Sequence, residues 1–127
     1  MAIYCGVDII EIDRIKKSVD ANGFAFRDRV YTETEIKYCE SKKAACFQSY
    51  AVRFAAKEAV VKALGTGISR GIALKDIEIT NDVNGKPSVN LYGKAREVFE
   101  ELKGDSLSIS LSHCESYAVA YVVISTR

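Results

Sequence analysis

The sequence predicts an α+β fold in which a largely antiparallel sheet packs against one long central helix. Three observations carry that expectation. Ala44–Leu64 runs without Pro or Gly and is rich in alanine, the composition of a long helix. Short β-rich or alternating runs stand at Ile3–Ile10, Asp76–Thr80, Pro87–Leu91, Leu107–Ser112 and Tyr117–Ile124. Two pairs of these runs are separated only by short turn segments, Asn81–Lys86 with its Asn84–Gly85 signal and the His113–Ser116 turn, which is the spacing of antiparallel neighbours.

Taken in order, IYCGVDII (Ile3–Ile10) is the first strand, interrupted near its end by Asp8. Ile12, Ile15 and Val19 form a helical stripe with Arg14, Lys16 and Lys17 turned outward, ending near Asn22–Gly23. Phe24–Val30 reads as a turn or a short helical piece. Thr32 with Glu35 three residues on is a capping box, opening a helix through Ile36, Tyr38 and Cys39 that Glu40–Lys43 breaks. In the long helix, Phe47, Val52, Phe54, Val60, Val61, Leu64 and the alanines between them cover most of the circumference, so much of it should be buried. Gly65–Thr66–Gly67 stops it as a left-handed cap and turn. Beyond the first strand pair, Gly93–Lys103 places Ala95, Val98, Phe99 and Leu102 at helical spacing. The order is β-α-α-α-β-β-α-β-β, and with no repeat, linker or low-complexity tract the 127 residues read as one domain, 1–127.

Hydrophobic residues are 48% and charged residues 28%, the balance of a soluble globular protein. A net charge of +1 gives no reason to expect nucleic acid as a partner. Arg14, Lys16 and Lys17 form a basic cluster, Lys42 with Lys43 another, and Glu97, Glu100 and Glu101 a separate acidic patch, a distribution suited to one acidic partner. Cys5, Cys39, Cys46 and Cys114 show no CxxC spacing, which argues against a disulfide framework or structural zinc and for free thiols in a reducing compartment. The first apolar stretch is too short for a signal peptide and is cut by Asp8 and Glu11, and no run reaches membrane-spanning length. These features predict a cytoplasmic protein with no membrane partner.

The residues that invite chemistry are few. Asp8 sits among Val7, Ile9 and Ile10, where a carboxylate is costly to bury unless it is paired or bound to a cation. Glu58 and Lys62 lie four apart on one face of the apolar helix, and Lys57 points away from that face. Pattern alone favours plainer roles: Asp8 facing solvent or capping the next helix, and Glu58–Lys62 as a surface pair worth tenths of a kcal/mol. If Asp8 approaches Glu58, two carboxylates with open positions suit Mg2+, with Lys62 and the backbone of the Gly65–Thr66–Gly67 turn left to meet a phosphate. No Walker A or dinucleotide fingerprint is present. His113, the single histidine, falls in a turn, and Cys114 beside it lacks the supporting partner a Cys–His nucleophile needs.

Three segments together resemble the holo-acyl carrier protein synthase family of small bacterial 4'-phosphopantetheinyl transferases. They are CGVDIIEIDRI (Cys5–Ile15), RFAAKEAVVKALGTGI (Arg53–Ile68) and SISLSHCESYAVAYVVI (Ser108–Ile124), with NGKPSVNLYGKA (Asn84–Ala95) fitting the connecting segment. The resemblance spans the whole chain. It implies transfer of the phosphopantetheine arm of coenzyme A to a serine of apo-acyl carrier protein, releasing adenosine 3',5'-bisphosphate, in support of fatty acid biosynthesis. By resemblance Asp8 and Glu58 hold Mg2+, Lys62 serves phosphate, and Arg53, Thr66, Gly67, Pro87 and His113 surround the nucleotide. The general base stays open between Glu58 acting directly and acting through a metal-bound water. The family also implies a homotrimer with active sites at subunit interfaces, and a carrier-facing role for Arg14 and Lys17, with Lys42 and Lys43 as further candidates. Cys114 departs from the pattern, since many relatives carry Thr or Asp after the histidine.

Two other classes of function compete with this one. A non-catalytic module holding coenzyme A or an acidic partner would be expected to have lost Asp8 or Glu58, and both are present. A Mg2+-dependent phosphohydrolase would call for more carboxylates than the chain clusters.

Overall fold

The computed structural model describes residues 1–65 and 71–127. In chain order the elements are β1 (Ile3–Glu11), α1 (Ile12–Asp20), α2 (Ala25–Val30), α3 (Glu33–Ser41), α4 (Cys46–Leu64), β2 (Ile77–Asn81), β3 (Pro87–Leu91), α5 (Gly93–Glu101), β4 (Gly104–His113) and β5 (Tyr117–Thr126). The class is the expected one: helices segregate onto one face of antiparallel β-structure. One open reading is decided and one detail differs from the sequence reading. Of the turn and the short helical piece read for Phe24–Val30, the helix is what forms, over Ala25–Val30 and entered through left-handed backbone at Gly23 and Phe24, so four α-helices precede β2. The difference is in the strands, which form two sheets in place of one, an antiparallel β1-β5-β4 and a separate β2-β3 hairpin. A groove lined by Leu91, Tyr92, Phe99 and Leu107 lies between the edge strands β3 and β4, so no ladder joins them.

The long helix is the axle of both cores. On one side Ala55, Ala59, Val60, Ala63 and Leu64 pack with Ile77, Ile79, Val98, Ala120, Val122 and Ile124. On the other, Tyr50, Ala51 and Val52 pack with Ile12, Ile15, Val19, Val30, Tyr31 and Cys39. Each fully buried aliphatic side chain is worth about 1.5–3 kcal/mol, which explains why an alanine-rich helix without a side-chain N-cap is held firmly. The capping box is present as read: Thr32 Oγ1 accepts from Glu35 N at 3.2 Å and Glu35 Oε1 accepts from Thr32 N at 2.9 Å. Lys43, at φ 53°, breaks the path between α3 and α4, and Gly65, at φ 78°, caps α4 in the left-handed region. Cys39 and Cys46 are buried, whereas Cys5 and Cys114 are exposed. Among the described residues no helix is long and apolar enough to cross a membrane.

One contact sets the position of everything that follows. β1 crosses α4 so closely that a Cβ on Gly6 would lie 2.0 Å from the carbonyl oxygen of Ala59 and 2.8 Å from the nitrogen of Ala63. Glycine on the strand and alanines on the helix permit that approach. Even-numbered residues of β1 then face the helix, and Asp8, two beyond Gly6, is aimed at α4 instead of at water.

Candidate active site

Two stripes of charge run along α4, each spaced i,i+4. Arg53 and Lys57 form one; Glu58 and Lys62, five residues further on, form the other, roughly 140° around the helix. The second stripe meets β1. Lys62 Nζ donates to Asp8 Oδ1 at 3.0 Å and to the carbonyl oxygen of Val7 at 2.9 Å. The Asp8 side chain is only 16% exposed and that of Lys62 54%, so the pair sits at the mouth of the strand–helix crossing. Glu58 is half-buried beside them, and its pKa is raised, first by burial and next by the charge of Asp8, with Lys62 pulling the other way. The plainer readings of the sequence therefore do not hold for these residues. Asp8 caps nothing, because α1 is entered through Glu11 without a side-chain cap bond, and Glu58 and Lys62 border a carboxylate from another element.

Two carboxylates brought together, one with raised proton affinity, form a place where added positive charge is favourable. The ammonium of Lys62 already rests on Asp8 Oδ1, showing that this oxygen accepts a cation. Among the described residues no cluster of three or more His, Cys, Asp or Glu side chains forms a metal centre. The two carboxylates, Asp8 and Glu58, are a donor set of the kind that suits an ion taking few protein carboxylates and completing its shell with water and substrate phosphates, such as Mg2+.

Arg53 lies elsewhere. It is buried and its guanidinium is held on several sides: Nη1 donates to Ser49 Oγ at 3.0 Å, Nη2 donates to Asn81 Oδ1, and the group stacks over the Tyr38 ring at 4.1 Å. Its Nε is buried without a hydrogen-bond partner. A groove of about 200 Å³ opens here, lined among others by Tyr38, Lys42, Ser49, Arg53, Asn81 and His113. His113 enters from the exposed end of β4, and Pro87 pairs across the hairpin with Asn81. The structure thus brings Arg53 and His113 together, with Pro87 beside Asn81, but on a different side of α4 from Asp8, Glu58 and Lys62. Thr66 and Gly67 lie outside the described residues. Arg14 and Lys17 are exposed on α1, with Lys17 in a surface pair with Asp13 at 3.1 Å.

Sequence reasoning did not single out Tyr38, Ser49 or Asn81, nor the partner of Lys57. Ser49, Arg53 and Lys57 recur every fourth residue, a polar stripe on a helix otherwise expected to be buried. That spacing was the available signal.

Comparison with known proteins identifies the family and the fold. The model of the 4'-phosphopantetheinyl transferase superfamily matches residues 4–122. A holo-[acyl-carrier-protein] synthase from Ruminiclostridium cellulolyticum is 55% identical over 98% of this chain and 93% of its own length. Among solved structures, the Helicobacter pylori holo-[acyl-carrier-protein] synthase in complex with coenzyme A superposes with a TM-score of 0.83 at 36% identity, covering 95% of this chain and 99% of its own. The Chronobacterium ammoniagenes ACPS-CoA complex superposes with a TM-score of 0.86 at 26% identity, covering 100% and 99%. The chain belongs to the 4'-phosphopantetheinyl transferase superfamily and is an enzyme of its holo-[acyl-carrier-protein] synthase family.

Proposed function

We propose that the chain, acting as one transferase domain, moves the 4'-phosphopantetheine group of coenzyme A to a serine hydroxyl of apo-acyl carrier protein and releases adenosine 3',5'-bisphosphate. The observation that carries this reading is the meeting of Asp8, Glu58 and Lys62 where β1 crosses α4. Asp8 and Glu58 are the residues that would hold Mg2+. When bound, the ion neutralises charge on the pyrophosphate of coenzyme A. In the reaction the serine Oγ forms a bond to the β-phosphorus while the bond from that phosphorus to the bridging oxygen breaks, and the electron pair leaves with the adenosine bisphosphate. Lys62, exposed enough to leave Asp8, donates to the phosphoryl oxygens where charge develops. The serine proton passes to the Glu58 carboxylate, which stands beside Asp8 and Lys62.

The nucleotide belongs in the groove of Arg53 and His113, with Pro87 beside Asn81 at its border and Thr66 and Gly67 as further contacts. Arg53 is held rigid there, with Lys42 adding positive charge. Because this groove and the Asp8–Glu58–Lys62 cluster occupy different sides of α4, one coenzyme A is best served by two copies of the chain, each giving one half. The outer face of the β1-β5-β4 sheet supports such an assembly. Val7 and Ile9 are 52% and 63% exposed, with Ile3, Tyr117 and Tyr121 also open, an apolar face that a homotrimer would cover. Arg14, with Lys17 behind it, meets an acidic helix of the carrier protein. The enzyme works in the cytoplasm and supplies holo-carrier for fatty acid biosynthesis.

Intact mass spectrometry of apo-acyl carrier protein incubated with the enzyme, coenzyme A and Mg2+ tests the reading. A gain of one phosphopantetheine group is expected. An unmodified carrier, alongside a working control synthase, overturns it.

A further inference from the structure

Lys57 and Glu35 are the most deeply buried ionic groups described, and nothing in the reaction requires them. Both side chains are 0% exposed and their ions meet at 2.7 Å. Each is saturated. The Lys57 ammonium donates to Glu35 Oε1, to the carbonyl oxygen of Leu74 at 3.0 Å and to that of Ile77. The Glu35 carboxylate accepts from Lys57, from Thr32 N at 2.9 Å and from Ile79 N at 2.8 Å. Ile77 O and Ile79 N belong to the edge of β2 that β3 does not pair, so the ion pair occupies that edge as a neighbouring strand would. A saturated buried pair contributes little net stability compared with apolar packing, but it fixes relative position sharply.

What it fixes lies next to the coenzyme side of the site. Asn81 follows Ile77 and Ile79 at the same alternation on β2, and its Oδ1 accepts from Arg53 Nη2. The same carboxamide donates through Nδ2 to Gly85 O at 3.0 Å, in the turn that leads to Pro87. Arg53 stands one helical turn before Lys57 on α4. Helix α4 and the hairpin are therefore joined at two points on one line, Lys57 to Ile77 O, braced by Glu35 of α3 on Ile79 N, and Arg53 to Asn81.

We infer that the Lys57–Glu35 pair is a positioning device for coenzyme A: it holds β2 in register against α4, so that Asn81 presents Arg53 and the Pro87 turn to the nucleotide. This rests on the placement of the nucleotide at Arg53 made above. The pair touches neither substrate nor the reacting atoms.

The test compares steady-state kinetics of the full chain carrying Glu35→Gln, Lys57→Met with Glu35→Gln, and Arg53→Gln, each checked by thermal melting. Glu35→Gln keeps the side-chain shape and serves if the double variant fails to fold. Each folded Glu35 variant is expected to raise KM for coenzyme A on the order of tenfold, with kcat and KM for the carrier within about twofold of wild type. Combined with Arg53→Gln, Glu35→Gln should add less than its separate effect, since both act on one guanidinium. A lowered melting temperature with unchanged KM for coenzyme A, while Arg53→Gln still raises it, makes the pair purely structural and overturns the inference alone. No effect of Arg53→Gln on that KM overturns the placement of the nucleotide, and this inference with it.

Discussion

The two charged stripes of α4 show how one helix fixes position on one side and carries the chemistry on the other. Both put charge on a helix that is mostly buried. On the Arg53–Lys57 side, Lys57 is resolved within the chain, spending all three protons on protein oxygens, and Arg53 is held in place by Ser49, Asn81 and Tyr38 with only its Nε left unpartnered. The Glu58–Lys62 side is not resolved to the same degree. Glu58 is half-buried with its proton affinity raised, and Lys62 is half-exposed on Asp8. Groups satisfied internally fix geometry, whereas groups left strained or partly open at a crevice are those a ligand completes.

Substitutions on the two faces should therefore fail in different ways. Lys57→Met leaves the Glu35 carboxylate buried and unpaired, and is expected to destabilise the fold by about 3–5 kcal/mol in denaturant unfolding. Lys62→Met should do the reverse. Its exposed pair with Asp8 is worth at most about 1 kcal/mol, so the melting curve should barely move, while kcat falls on the order of a hundredfold. Equal loss of stability in both would erase the distinction between the faces.

A smaller effect is expected away from the helix. Arg14→Glu should raise KM for the carrier protein about tenfold, more at low salt than at high, and leave binding of coenzyme A by calorimetry unchanged. Equal loss of both would remove the carrier-facing role of α1.

The smallest effect is on stability against pH. Folded Glu58 binds its proton more tightly than the unfolded chain does. The folded state is thus penalised as pH rises from the ordinary carboxylate range through the raised value, and the penalty persists above it. Glu58→Gln should melt about a degree or two higher than wild type at pH 7 and show no advantage at pH values below the ordinary carboxylate range.

Local features of the fold were legible because local chemistry decides them. The Thr32–Glu35 capping box, the Pro87–Leu91 strand and the Gly65 stop all follow from a few adjacent residues. Ala25–Val30 was less so, since six residues entered through left-handed Phe24 carry too short a period to read. Division into two sheets depends on which distant edges meet, and alternation within a strand is silent on that. The site divides along the same line. Asp8, Glu58 and Lys62 stood out as charges in apolar surroundings, but their meeting depends on Gly6 passing over Ala59, a contact between residues far apart in sequence. Glu35 was visible only as a cap, and its second task, neutralising a lysine 22 residues away, appears once β2 is folded against α4.

The central claim is that the Asp8–Glu58–Lys62 crossing is where transfer happens, and Glu58→Gln tests it most directly. Wild type and variant are incubated with apo-acyl carrier protein, coenzyme A and Mg2+, and the carrier is weighed by intact mass spectrometry, with circular dichroism confirming that the variant is folded. The wild type is expected to add one phosphopantetheine group and the folded variant none. A folded Glu58→Gln enzyme with full transfer activity would contradict the account.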